Sequence, residues 1–298
     1  MRVLGHVTVL VNPLAGRGRA RRVASRAIAE LRRGDVDVDV VVTRSAEHGT
    51  QAATAALAAG RDAVVVCGGD GAIAAVLPVL AGGTVPLGVL AGGSGNDFAR
   101  ALGLPVRDPI AAARVVARGV AGRVDLGRIG ERWFGTVVAA GFDARVNERM
   151  NAMTWPRGRL RYHAALIAEL AAFRPLPFTI EVDGQRLDGD AMLVAVANTG
   201  SYGGGMRICP DARFDDALLD VTVVTSISRA KLVRLFPSVY SGRHVRRPEV
   251  LTLRGRCVRL SAPGVIAYAD GERVGPLPAT VTAVPGALAV LGAGRACG

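Results

Sequence analysis

Short aliphatic runs that end in glycine-rich turns constrain this chain more than any other feature. Asp62 to Cys67 reads DAVVVC and passes directly into Gly68, Gly69, Asp70 and Gly71. A strand with no polar face must be covered on both sides, as in a parallel sheet flanked by helices. Further strands read at His6 to Val11 and Pro86 to Leu90, and at Val36 to Thr43, which alternates Val with Asp before becoming continuous. Helical patterns separate them. One covers Arg19 to Arg33 and closes at Gly34, and a second is capped by Thr50 and runs through Ala59 to Gly60. Residues 72 to 81 form a third. Strand and helix alternating at this pace predict βαβ units around a parallel sheet.

After a helix around Ile110 to Arg118 the pattern changes to strands. They are expected at Gly122 to Ile129, Arg132 to Ala139, Phe178 to Val182, Ala191 to Ala197, Leu219 to Val224, Val250 to Leu260, Val265 to Ala269 and Thr280 to Val284. Asp183-Gly184 and Asp270-Gly271 read as hairpin turns. A single helical segment, about Leu160 to Phe173, interrupts this half. The expectation is an α/β domain at 1–121 followed by an all-β domain at 122–298, with the last residues packing back on the first.

The 298 residues carry a formal charge of +12, almost entirely from arginine, since Lys231 is the single lysine. A basic surface attracts nucleotide phosphates, nucleic acid or anionic headgroups. No aromatic–basic platform supports nucleic acid. Arg157, Arg159 and Arg161 are grouped beside Trp155 and Tyr162, and the segment from Trp155 to Phe173 reads either as a lip that meets lipid or as an ordinary packed helix. Cys67, Cys209, Cys257 and Cys297 have neither CxxC nor metal-ligand spacing, so they read as thiols in a reducing compartment. With no membrane-spanning apolar run and no leader pattern, a cytoplasmic protein with peripheral membrane contact is expected.

Three glycine-rich turns follow strands of the first domain: NPLAGRG with Asn12, Pro13 and Gly16; CGGDGA from Gly68 to Ala72; and GGSGND with Ser94, Asn96 and Asp97. Ligands of open parallel sheets bind beyond the carboxyl ends of the strands. Glycine lets backbone N–H groups approach phosphate oxygens there, helped by the helix start that follows. Asp70 among these glycines repels bare phosphate, so it faces Mg²⁺ or braces the loop. Arg17 and Arg19 pair with phosphates or are solvated charges. GxGxxG and GxxxxGK[ST] are both absent.

NPLAG, CGGDG and GGSGNDFAR resemble the NPxSG, GGDGT and GTxNDFAR signatures of the diacylglycerol-kinase catalytic domain, which bacterial lipid kinases and sphingosine kinases share. GFDARV from Gly141, NTGSYGGGMRICPDARFDDALLDV from Asn198 and YADGE from Tyr268 extend the resemblance over nearly the whole chain. It implies a nucleotide-binding α/β domain followed by a β-sandwich, with the active site between them. It further implies an ATP-dependent kinase of diacylglycerol or a related lipid. By resemblance Asn12, Thr43, Gly68 to Ala74 and Ser94 line the ATP site, and Asn96 and Asp97 shape it. Asp270 matches the catalytic base, with Glu272 beside it. A further Mg²⁺ would use the Asp216 carboxylate and the main-chain carbonyls of Arg213 and Leu218, bracing a loop. The Asp215, Asp216, Asp220 group also reads as a solvated loop.

Departures are Ala72 for threonine, Ala74 for asparagine, Ala15 for serine, Ser94 for threonine and Ala217 for glycine. One hydroxyl and one amide lost near phosphate imply activity lower by about ten- to a hundredfold, an altered nucleotide use, or a substrate other than diacylglycerol. Two alternatives stay open: a kinase of a soluble substrate resembling NAD kinases, and a nucleotide-binding regulator with impaired catalysis.

Overall fold

The computed structural model describes residues 4–141, 149, 153, 155 and 174–294. The first half contains β1 (His6–Val11), α1 (Arg19–Arg33), β2 (Asp37–Val42), α2 (Ala46–Ala58), β3 (Ala63–Gly68), α3 (Asp70–Ala74), α4 (Leu77–Leu80), β4 (Leu87–Ala91), α5 (Asp97–Ala101) and α6 (Pro109–Ala117). The four strands are parallel in the order β4-β3-β1-β2. Every residue of β3 and β4 is buried. Along β3 the two-residue period divides the valines: Val64 and Val66 enter one core with α2, and Val65 and Cys67 enter the other with α1 and α6. The helices bury mostly alanine, such as Ala20, Ala24 and Ala27 of α1, so they approach the sheet closely.

The second half is a β-sandwich built from β5 (Ala121–Ile129), β6 (Arg132–Phe134), β7 (Val137–Gly141), β8 (Leu176–Val182), β9 (Gln185–Ala197) and β10 (Leu219–Thr225), then α7 (Arg229–Tyr240), β11 (Val250–Gly255), β12 (Cys257–Ser261), β13 (Ile266–Ala269), β14 (Glu272–Pro276) and β15 (Ala279–Leu291). Antiparallel pairing joins β14-β13-β7-β9-β8-β12-β15. β15 then continues beyond the sandwich. It pairs antiparallel with β5, and Val290 lies in parallel register with Leu87 of β4. Its residues Ala287, Leu288 and Val290 share one core with Val64, Leu87 and Leu102. A fragment of residues 1–121 therefore lacks part of its own core and should remain expanded. Far- and near-ultraviolet circular dichroism with hydrogen exchange would check this, and a cooperatively folded fragment would refute it.

Several expected boundaries differ. Ser45, not Thr50, caps α2 by accepting the His48 N–H at 3.1 Å, while the Thr50 hydroxyl donates to the Ala75 carbonyl at 2.7 Å. The helix expected over 72 to 81 is two short helices. The strand expected over Arg132 to Ala139 breaks at Gly135 and Thr136. That over Val250 to Leu260 breaks at Arg256, where Asp183 accepts the N–H groups of Arg256 and Cys257. The expected helix over Leu160 to Phe173 lies outside the described residues, as do Arg157, Arg159, Arg161, Tyr162, Cys297 and residues 142–146 of the GFDARV motif. The helix α7 was not foreseen. Burial pushes the Cys67 and Cys209 thiols up to about 12, so neither is reactive at neutral pH. No helix among the described residues is long and apolar enough to cross a membrane.

Candidate active site

The carboxyl ends of β1, β3 and β4 open onto a cleft of about 430 Å³. Asn12, Gly16, Thr43, Gly69, Gly71, Ala72 and Ser94 line it, and Leu10, Ala75 and Val76 give it apolar wall. Glu272, the first residue of β14, reaches the same cleft from the second half. Arg44, Ser45 and Ala46 were not anticipated there. Ser45 was legible as a cap just ahead of an alanine-rich helical pattern, but the more distant Thr50 drew the assignment. Pro13, Gly68, Asp70, Asn96, Asp97 and Asp270 stand behind or beside this lining.

The three turns divide their labour. The N–H groups of Gly92 and Gly93 both donate to the Gly68 carbonyl, at 2.7 and 3.0 Å. Asn96 holds the Gly93 N–H and carbonyl with its two amide atoms, at 2.8 and 2.9 Å, from a left-handed φ of 57°. Arg19 donates to the Gly93 carbonyl at 2.5 Å, so its guanidinium ties the first turn to the third. Gly69 and Gly93 are so close that a Cβ built on Gly93 would lie 2.4 Å from the Gly69 Cα. The third turn is thus a brace. The second presents donors: the N–H groups of Asp70 and Gly71 open α3, where no intrahelical acceptor exists.

Asp270 and Gly271 form the two-residue turn between β13 and β14, with φ of 51° and 83°. Positive φ at both central positions is the type I′ hairpin geometry that matches strand twist. The hairpin and carboxylate readings of this pair are therefore compatible. The carboxylate accepts from the Gly135 N–H at 2.7 Å, the Thr136 N–H at 2.8 Å and the Thr136 hydroxyl at 2.5 Å. The break between β6 and β7 turns these donors toward it, a feature invisible in a sequence that reads as one strand. Burial holds Asp270 above the usual carboxylate range, and the nearby Asp70 charge adds to this against the three donors.

A chain of contacts joins Asp270 to the second turn. Gly135 packs against the Phe98 ring, and the Phe98 N–H donates to Asp70 Oδ1 at 3.0 Å. Asp97 is buried, 3 % exposed, and its Oδ2 accepts the Gly204 N–H at 2.6 Å, pinning the YGGGM loop to the α/β half. Its Oδ1 is buried without a hydrogen-bond partner among the described residues. Burial raises this carboxyl, and Asp70 raises it further.

The loop expected to hold a second metal lies apart from the cleft lining. Asp216 accepts the Leu218 N–H at 3.0 Å through Oδ1 and is bonded by Arg254 through Oδ2. Arg213 pairs with Asp215 at 3.2 Å. Ala217, where glycine was usual, sits at φ of 63°, the left-handed region that explains the preference for glycine.

An open sheet with glycine turns over a cleft, backed by a sandwich that sends a carboxylate hairpin to its rim, is the architecture of the NAD-kinase-like fold class. Residues 6–129 match the family described as "Diacylglycerol kinase catalytic domain", and residues 136–292 match the "YegS C-terminal NAD kinase beta sandwich-like domain". The chain is 49% identical over 294 residues to a diacylglycerol kinase of Mycobacterium tuberculosis, covering 97% of this chain and 95% of that protein. It is 28% identical to a diacylglycerol kinase of Bacillus subtilis, covering 91% and 90%. A solved diacylglycerol kinase structure from Bacillus anthracis superposes with a TM-score of 0.79 at 22% identity over 98% of both chains. An NAD kinase from Archaeoglobus fulgidus in complex with ATP gives 0.54 at 15% identity, over 96% and 93%. The chain belongs to the diacylglycerol kinase family and is a kinase.

Proposed function

We propose that the chain transfers the γ-phosphoryl group of ATP to the hydroxyl of diacylglycerol or a related lipid, with Asp270 as general base. The observation that carries this reading is the contact chain Asp270–Gly135–Phe98–Asp70, which couples a carboxylate of the second half to the nucleotide-facing turn of the first. The division at residue 121 is part of the proposal, with 1–121 as the nucleotide domain and 122–298 as the lipid-substrate domain.

The residues present suit a magnesium nucleotide. Asp70 and Gly71 offer N–H groups at a helix start with no acceptor inside that helix, and Asn12, Thr43 and Ser94 add polar contacts around the cleft. Asp70 and the unpartnered Oδ1 of Asp97 are hard oxygen donors of the kind Mg²⁺ takes. When bound, the metal neutralises charge on the phosphoryl oxygens. Asp270 accepts the proton of the lipid hydroxyl, and its three donors hold the carboxylate in one orientation. Glu272, on the cleft wall, orders the acceptor side.

Incubation with labelled ATP, Mg²⁺ and a total lipid extract tests the reading. A labelled phospholipid with a monoester phosphate supports it. Label on a soluble acceptor such as NAD points to the NAD-kinase-like alternative, and nucleotide binding without transfer to a regulator. Because the Asp270 carboxyl is raised, the base protonates at higher pH than an ordinary carboxylate. Activity should therefore fall as pH drops through a break above about 3.9. A kcat/KM profile breaking at or below that value would count against Asp270 as base.

The basic surface supports peripheral contact with anionic membranes. Arg17, Arg21, Arg22 and Arg26, on the first turn and α1, are exposed, as is Leu14 at the cleft mouth. Co-sedimentation with anionic vesicles should weaken as salt rises from low to above about 0.5 M. Salt-insensitive association would remove electrostatics from the account.

A further inference from the structure

The loop from Asp211 to Asp220 was expected to hold a divalent cation through Asp216 and two carbonyls, but its donor set does not fit one. Both Asp216 oxygens are engaged, Oδ1 by the Leu218 N–H and Oδ2 by the Arg254 guanidinium. Nε of the same guanidinium lies 3.5 Å from Asp220 Oδ2, so one planar cation bridges two carboxylates. Asp125, behind the loop, is also satisfied by protein: it accepts the Ala217 N–H at 2.6 Å and the Gly286 N–H at 2.7 Å. Among the described residues, no group of three or more His, Cys, Asp or Glu is placed to hold a metal ion.

We propose that the Arg254 guanidinium, carried on β11, is the resident cation of this loop, which therefore needs no divalent ion. A guanidinium stays charged at every pH the protein meets, so the brace is permanent where a metal would exchange. Arg254 sits outside the cleft, yet the braced loop leads toward it. The Asp125 N–H donates to the Phe214 carbonyl at 2.7 Å. Asn198 then donates to the Asp125 and Gly135 carbonyls at 2.9 and 3.1 Å, and the Gly135 N–H holds Asp270. The proposal stands on the loop geometry alone and does not depend on the catalytic reading, nor does it concern the metal that accompanies a nucleotide.

The test uses the full chain without nucleotide. Wild-type Tm should stay within about 1 °C between EDTA and millimolar Mg²⁺ or Mn²⁺, because an ion that finds no site adds no stabilisation. Arg254→Met leaves Asp216 and Asp220 facing each other and should lower Tm by about 3–6 °C. Mg²⁺ or Mn²⁺ should then restore it, and the added Asp216→Asn change should abolish that restoration. Arg254→Lys should keep most of the wild-type Tm without metal. An Arg254→Met variant as stable as wild type, or one that no divalent ion rescues, would overturn the proposal. Should that variant not fold, Mn²⁺ binding to the wild type decides, followed by electron paramagnetic resonance. One bound Mn²⁺ that Asp216→Asn removes would assign the loop to a metal, and no binding there supports the guanidinium.

Discussion

Asp270→Asn should lower kcat by about a thousandfold or more while leaving ATP affinity within about threefold. Asparagine keeps the size of the side chain and tolerates the left-handed conformation that the turn imposes at φ of 51°. One of its two polar atoms still accepts from Gly135 or Thr136, and the other becomes a donor facing donors. The turn should survive with a modest loss of stability, which a thermal melt would register separately. What disappears is the capacity to take a proton from an alcohol. The glycine turns proposed to hold ATP belong to the first half, and the substitution adds no volume to the cleft. Single-turnover transfer to a lipid acceptor, measured beside equilibrium nucleotide binding, separates the two effects. Turnover near wild type in a folded, ATP-binding variant would remove Asp270 from the mechanism.

Gly93→Ala acts on the opposite wall and should weaken ATP binding by about a hundredfold. The new Cβ would stand 2.4 Å from the Gly69 Cα and 2.9 Å from Asn96 Oδ1. The first contact is with backbone, so no side chain can rotate away. The second and third turns must separate by about 1 Å, enough for a loss of that size in a positioned site. The donors at Asp70 and Gly71 then no longer match the phosphate. Gly189→Ala is the control, since an added Cβ there meets no atom within 4 Å and Gly189 lies on β9, outside the cleft lining. Calorimetric titration with a non-hydrolysable ATP analogue reads both variants. An unchanged Kd in a folded Gly93→Ala protein would mean that the braced turns do not form the nucleotide cradle.

The part of this molecule that could be read from residues alone is the part governed by period and punctuation. β3 had to be buried on both faces because DAVVVC has no polar side, and its two rows of valine do enter separate cores. The end of helix α1 was legible at Gly34, and both hairpin turns were legible as Asp-Gly pairs. What stayed hidden depends on partners far along the chain. The break at Gly135 and Thr136 exists because Asp270, more than 130 positions later, draws their N–H groups away from a ladder. Helix α7 carries Pro237, a residue that ordinarily ends a helical pattern. The pairing of Asp216 with Arg254 could not be anticipated either, because loop composition looks the same whether a metal or a guanidinium supplies the charge.

The reach of β15 from the sandwich into register with β4 makes the two halves poor candidates for exchange. A chimera that joins residues 1–121 of this chain to the remainder of a relative would import a foreign final strand into its partner's interior. The relative's residues at the positions of Ala287, Leu288 and Val290 would have to fit around Val64, Leu87 and Leu102, which here pack against this chain's own last strand. Recombination between relatives should therefore succeed only when the crossover respects both ends of the chain together, so that the beginning and the last stretch of the protein are inherited as one piece.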